Sequence, residues 1–199
     1  MLLGIASSNP NKFREFKSLL SVCKGLELVS MRDYPNYIPP EETGTSFEEN
    51  AIIKALDFAK YIKGYALADD SGLVVPALNG EPGILSSRYA KPDATDAENR
   101  CKLKIALEKL NEKDRQAYFS CCLVLANPEK VEKITNGLCE GYLITEERGN
   151  NGFGYDQLFI KYDYGKTFAE IDDQVKNKIS HRRKAFDKML CYIEKISSR

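Results

Sequence analysis

Five short stretches of the chain carry side chains whose types and spacing suit chemistry. The first, Ser7-Ser8-Asn9-Pro10-Asn11-Lys12, breaks an apolar run (Leu2 to Ala6) and precedes Phe13, Phe16, Leu19 and Leu20 at helical spacing. A turn from strand into helix aims free backbone amides and a positive helix end at an anion, and hydroxyls, an amide and an ammonium add donors here. The glycines and Gly-Lys-Ser/Thr ending of a Walker A loop are missing. The stretch therefore reads either as a phosphate cradle of another kind or as a solvated N-cap turn. The second, Asp69-Asp70-Ser71-Gly72, interrupts an apolar strand pattern that runs from Tyr65 to Ala68 and resumes from Leu73 to Ala77. Adjacent carboxylates there repel and lose solvation, costs that a cation relieves; an exposed turn is the other reading. Neighbouring strand residues point to opposite faces, so one aspartate is free to meet metal while the other is oriented differently.

The third stretch places Glu41 and Glu42 in a loop before a helix, with Glu48 and Glu49 in its first turn. Complementing the helix dipole accounts for Glu48 and Glu49, and less well for Glu41, which precedes the cap. The fourth, Gly152-Phe153-Gly154-Tyr155-Asp156, sets an aromatic between glycines. Such a loop either stacks a base on Phe153, with Asp156 at the base or sugar edge, or is a β-turn whose Phe fills the core. The fifth gathers Lys176 and Ser180-His181-Arg182-Arg183-Lys184 at the start of the last helix. Cations there oppose the helix dipole, a broken local rule of the kind that marks function, although a solvated basic face is common.

The elements that must position these residues alternate between helix and strand early in the chain. Strands are expected at Leu2 to Ala6, Leu26 to Ser30, Ala117 to Ala126, Val131 to Asn136, Gly141 to Thr145 and Leu158 to Lys161. Helices are expected from about Lys12 to Leu20, from a capping box at Ser46 and Glu49, from a second at Thr95 and Glu98 to about Leu110, and after Ser180. This mixture predicts an α/β fold with a mixed central β-sheet.

Composition narrows the function classes. The chain has 199 residues, 43% hydrophobic, enough for a sizeable core in a single domain. Lys plus Arg and Asp plus Glu number 29 each, so the overall basic charge of a nucleic-acid binder is absent. No apolar run reaches the ~20 residues needed to span a membrane, and the start lacks the basic flank and long apolar core of a signal peptide. A cytoplasmic protein with six reduced, mostly buried cysteines is expected. With His181 the only histidine, a zinc site built on several histidines is impossible. A metal would use carboxylates, carbonyls and water, which points to Mg²⁺ or Mn²⁺.

Taken in order, these stretches resemble the inosine triphosphate pyrophosphatase family from Leu3 to about Ile193. The family opening Thr-x-Asn-x-x-Lys is present as Ser7, Asn9 and Lys12. Glu-x-Thr-Gly-x-(Thr/Ser)-Phe-x-Glu-Asn-Ala is present from Glu41 to Ala51, and Ala-Asp-Asp-Ser-Gly-Leu from Ala68 to Leu73. Pro82-Gly83, Ser87-Arg88-Tyr89, Gly152 to Asp156 and Ser180-His181-Arg182 continue the match. Gln157 stands where Pro usually follows Gly-Tyr-Asp, a change expected to loosen that loop. The resemblance implies a sheet flanked by helices, one domain over residues 1–199 in two lobes with an active-site cleft, and a homodimer. It implies Mg²⁺-dependent hydrolysis of the purine nucleotides ITP, dITP and XTP to the monophosphate and pyrophosphate. Ser7, Ser8, Asn9, Pro10, Asn11 and Lys12 would hold the triphosphate. Glu41 and Asp70 would hold Mg²⁺, or Mn²⁺ in its place, with Asp69 nearby and Asp70 also accepting a proton from water. Ser71, Phe153, Gly154, Tyr155, Asp156, Lys176, His181 and Arg182 would contact the nucleotide, with neither nucleic acid nor membrane as partner. A free Asp has a pKa of about 3.9, which a metal lowers further, so Asp70 is expected to be a weak base.

Overall fold

The computed structural model describes residues 1–197. The chain starts with β1 (Leu2–Ala6) and turns directly into α1 (Pro10–Leu20), where Asn9 is the N-cap and Pro10 the first helical residue. Proline is pre-set for that position, since its missing N–H would have no intrahelical partner there. Next come β2 (Glu27–Ser30) and, after the proline-rich loop, α2 (Phe47–Ile62). Ser46 caps α2 by accepting from the Glu49 amide, but the Glu49 carboxylate turns to the amide and hydroxyl of Thr45. The expected capping box is therefore only half formed. Ala51, Ala55, Phe58 and Ala59 bury the apolar stripe, and Lys63 in a left-handed conformation (φ 52°) ends the helix.

β3 (Tyr65–Val74) is a single ten-residue strand. Asp69 and Asp70 lie inside it and are 1% and 7% exposed, which excludes an exposed turn. α3 (Asp96–Glu108) opens with the expected Thr95–Glu98 capping box. β4 (Gln116–Ala126) turns through Asn127 and Lys130 into β5 (Val131–Leu143), which runs unbroken where two strands were expected. Gly141 allows this: a Cβ there would lie 2.2 Å from the Ile160 carbonyl, so only glycine admits the neighbouring strand so closely. β6 (Phe159–Lys161), β7 (Lys166–Thr167), α4 (Asp173–Ile179) and α5 (His181–Ser197) complete the chain.

The seven strands form one mixed sheet in the order β2-β1-β3-β4-β5-β6-β7. β1 runs parallel to both β2 and β3, whereas β6 is antiparallel to β5 and β7. The fold is thus the expected α/β arrangement of a mixed sheet with helices.

Two compact units emerge. One comprises Met1–Asp70, Cys121–Gly137 and, among the described residues, 182–197; the other comprises Ser71–Ser120 and Leu138–His181. The first unit has two cores. Phe16, Leu67, Cys121, Phe186 and Met189 form one, and Ala51, Phe58, Ala68, Cys122 and Val124 the other. Cys121 and Cys122 therefore do fall on opposite faces of their strand. The core of the second unit is built on Leu73, Leu103, Phe119, Leu158, Phe159 and Phe168. All six cysteines are free thiols, with only Cys101 and Cys191 exposed. Among the described residues no helix is long and apolar enough to cross a membrane.

Candidate active site

The loop from Ser7 to Lys12 is organised by its own side chains. Ser7 Oγ accepts from the Asn9 amide at 3.2 Å, and Asn9 Oδ1 accepts from the amides of Asn11 (2.8 Å) and Lys12 (3.4 Å). Asn9 is thus an N-cap in the ordinary sense. Ser8 and Pro10 are exposed at the helix entrance, and the Lys12 side chain bends back to Asp69.

The pleat of β3 sends its two carboxylates to different partners. Asp69 Oδ1 accepts from Lys12 Nζ at 2.7 Å, while Oδ2 accepts from Arg182 Nε at 2.5 Å and from the Cys121 thiol at 3.5 Å. Arg182 is itself 1% exposed and also paired with Glu15. Burial pushes the Asp69 carboxyl upward, but Arg182 and Lys12 overcome this and hold it well below the usual carboxylate range. Arg182 was expected to contact a nucleotide; in this structure its guanidinium is engaged by these two carboxylates.

Asp70 Oδ1 instead accepts from Lys54 Nζ at 2.7 Å, and the same ammonium donates to the Asp69 carbonyl at 3.0 Å. Glu42 Oε1 lies 2.9 Å from it. Burial pushes the Asp70 carboxyl above its usual range against the pull of Lys54 and Lys12, with Glu42 pushing the same way. Desolvation works against the Lys54 charge, yet Asp70 and Glu42 keep its pKa raised. Without a metal, burial thus makes Asp70 a stronger base than a free Asp, the opposite of the direction in which a bound cation would move it. The motifs overlooked Lys54, although a signal existed. It sits at the i+3 position in the stripe Ala51, Ala55, Phe58, where a lysine has no reason to be unless a buried anion faces it.

Glu41 is exposed, and it is Glu42 that joins Asp70 at Lys54. The residues fit a hard divalent cation. Two carboxylates already share one positive charge, and among the described residues no group of three or more His, Cys, Asp or Glu forms a ready-made cage. Mg²⁺ is usually held by one or two carboxylates together with substrate phosphates.

The second unit holds the remaining candidates. Asp156 Oδ2 accepts from Lys176 Nζ at 2.6 Å and from the Phe153 amide at 2.9 Å. The Lys176 ammonium lies 4.8 Å from the centre of the half-buried Phe153 ring and 5.7 Å from that of Phe168. Gly154 donates to Asp96 at 2.7 Å and accepts from Arg100 at 2.9 Å. Tyr155 is buried and donates to the Ser86 carbonyl at 2.8 Å. Lys176 belongs to α4, a separate helix, not to the start of the last one. Ser180 ends α4 and immediately precedes α5, and His181 stacks on Phe119 at 4.9 Å and 14°. Ser71 is half-buried in β3. Gln157 adds a tie, donating to the Gly149 carbonyl at 2.9 Å, so the loosening expected from the missing proline is countered.

Comparison with known proteins is consistent along the chain. A curated protein of Protochlamydia amoebophila (strain UWE25), named dITP/XTP pyrophosphatase, is 52% identical over 197 residues, spanning 98% of this chain and 99% of the relative. One from Chlamydia abortus (strain DSM 27085 / S26/3), with the same name, is 47% identical over 195 residues, spanning 98% of this chain and 95% of the relative. The solved structure of a HAM1 protein from Coxiella burnetii superposes with a TM-score of 0.88 at 41% identity, covering 98% of this chain and 99% of that one. The Ham1 family model matches residues 3–192, and the chain belongs to the Ham1 family.

Proposed function

We propose that the protein hydrolyses deaminated purine nucleoside triphosphates (ITP, dITP and XTP) to the nucleoside monophosphate and pyrophosphate. The relatives' name, dITP/XTP pyrophosphatase, supports the substrate class. The observation that carries the chemistry is Asp70, a buried carboxylate of raised pKa held by the Lys54 ammonium. Such a group orients an attacking water and accepts its proton at a carboxylate oxygen. Lys12 and Lys54 supply positive charge for the phosphates, where stabilisation of the transferring group dominates the barrier. Asp70 with the Glu41–Glu42 pair would hold Mg²⁺, with Mn²⁺ as a substitute. The ion would supply charge neutralisation for an in-line displacement.

Base recognition is assigned to Phe153, Lys176, His181 and their neighbours. Hypoxanthine and xanthine carry a 6-oxo group, an acceptor that suits the donor-only ammonium of Lys176. A cytoplasmic location and a homodimer are part of the same proposal, following the family resemblance and six cysteines kept as thiols. The decisive experiment incubates common and deaminated triphosphates with Mg²⁺ and identifies the products. Equal amounts of IMP and pyrophosphate from ITP are expected, with efficiency at least ~100-fold above ATP and GTP, or ~2.7 kcal/mol in transition-state binding. IDP with orthophosphate would overturn the cleavage position, and equal efficiency on ATP the substrate class.

A further inference from the structure

We infer that Asp156 is a positioning residue for base selectivity, acting through Lys176 and not by touching the base. The inference rests on the proposed function and deepens it. Asp156 is 4% exposed and Lys176 3% exposed, so the pair is a desolvated contact with its charges already matched. One oxygen, Oδ2, receives both the Lys176 ammonium and the Phe153 amide. The same atom thereby fixes the ammonium and the ring beneath it, at 4.8 Å from each other.

Gly152 leaves room for this carboxylate. It has φ +75°, and a Cβ there would lie 2.0 Å from Asp156 Oδ2. The rest of the loop is anchored independently, by Asp96 and Arg100 on Gly154 and by Ser86 on Tyr155.

Fixation matters for selectivity in a specific way. An ammonium only donates. Held in place, it rewards a 6-oxo acceptor and leaves a 6-amino donor facing it without a partner. Released, a long lysine side chain swings aside, and the amino group is no longer penalised. Asp156 therefore contributes chiefly to the ratio of substrates and less to the rate on either. Specificity built from a fixed buried donor depends on this pre-organisation.

The test measures kcat/KM for ITP and ATP in the full-length protein with Mg²⁺, for Asp156→Asn, Gly152→Ala, Lys176→Met and the Asp156→Asn/Lys176→Met double variant. Asp156→Asn is expected to narrow the ITP-to-ATP ratio at least ~10-fold, equivalent to ~1.4 kcal/mol. Gly152→Ala, which displaces the same oxygen, is expected to narrow it in the same direction. In the double variant the ratio should match that of Lys176→Met alone, because a lost positioner has nothing left to position. A general loss of folding lowers both efficiencies together and does not move the ratio. A ratio unchanged within threefold in Asp156→Asn would overturn the inference, and so would losses that multiply in the double variant, which would mean that Asp156 reads the base directly. Should Asp156→Asn fail to fold, Gly152→Ala decides by the same threshold. A native protein with no preference for ITP would instead sink the proposed function itself, whatever the variants do.

Discussion

Lys54 and Asp70 meet at 2.7 Å in the interior of the first unit, on helix α2 and strand β3, and the same ammonium reaches Glu42. One lysine thus balances the carboxylate proposed to work on water. Lys54→Met would strip the charge and leave two acids facing each other. Removing one partner of a buried pair costs about 3–5 kcal/mol. The variant should therefore melt well below the native protein and lose at least ~100-fold in kcat/KM, measured by thermal unfolding and ITP turnover. Native-like activity would remove Lys54 from the phosphate machinery.

Asp70→Asn should still bind ITP while turning it over at least ~100-fold more slowly, a barrier increase of ~2.7 kcal/mol. Its effect on stability has two opposed parts. The native pKa is raised above the unfolded value, so the linked stability is present below the unfolded pKa and lost as pH rises through the folded one. At neutral pH the native protein carries that cost, and the asparagine does not. The asparagine, however, leaves the buried Lys54 ammonium with Glu42 as its carboxylate partner, so denaturant titration at pH 7 should find the variant less stable than the native chain, but by less than Lys54→Met. In the metal-free protein, carboxyl NMR should find Asp70 titrating above the ~3.9 of an ordinary aspartate.

Asp69 is the opposite case. Its carboxyl is held well below the usual range, so its contribution is present above the unfolded pKa and lost as pH falls through the folded one. Asp69→Asn leaves Arg182 and Lys12 short of a counter-charge and should cost several kcal/mol at pH 7, on the order of the 3–5 kcal/mol of a broken buried pair. Urea titrations should show the gap to the native protein shrinking once the pH drops below ~3.9. A gap that stays constant down to pH 2 would contradict the ion-pair account.

Lys176→Ala should reduce efficiency on ITP more than on ATP, because one charge-assisted hydrogen bond is worth about 1.5–3 kcal/mol. Steady-state kinetics on both substrates checks this. A proportional fall in both would assign Lys176 to scaffolding.

Much of this arrangement was legible in the residues, and the failures share a cause. Local signals sufficed for the turn into α1, the Thr95–Glu98 box and the opposed faces of Cys121 and Cys122, since each depends on neighbours in sequence. Asp69-Asp70-Ser71-Gly72 suggested an interruption because such residues favour turns. What keeps β3 continuous are partners 15 to 113 positions away: Lys54, Lys12 and Arg182. Distance along the chain hid the destination of Arg182 for the same reason. α4 escaped notice because Asp173–Ile179 is short and mostly polar, with little apolar period to detect, and Lys176 was assigned to the next helix in consequence. Gly141 suggested a strand boundary when it marks a close approach to Ile160.

The alternating pleat of β3 has an implication for large-scale variant surveys. Two chemically identical neighbours, Asp69 and Asp70, answer to different selections. A screen reading protein abundance in cells should flag asparagine at position 69, which leaves two cations short of a counter-charge, more strongly than asparagine at position 70, where Lys54 keeps Glu42. One reading clearance of inosine nucleotides should flag both. Comparing the two maps position by position would therefore separate the residue that keeps the molecule intact from the one that makes it useful, without any purified protein.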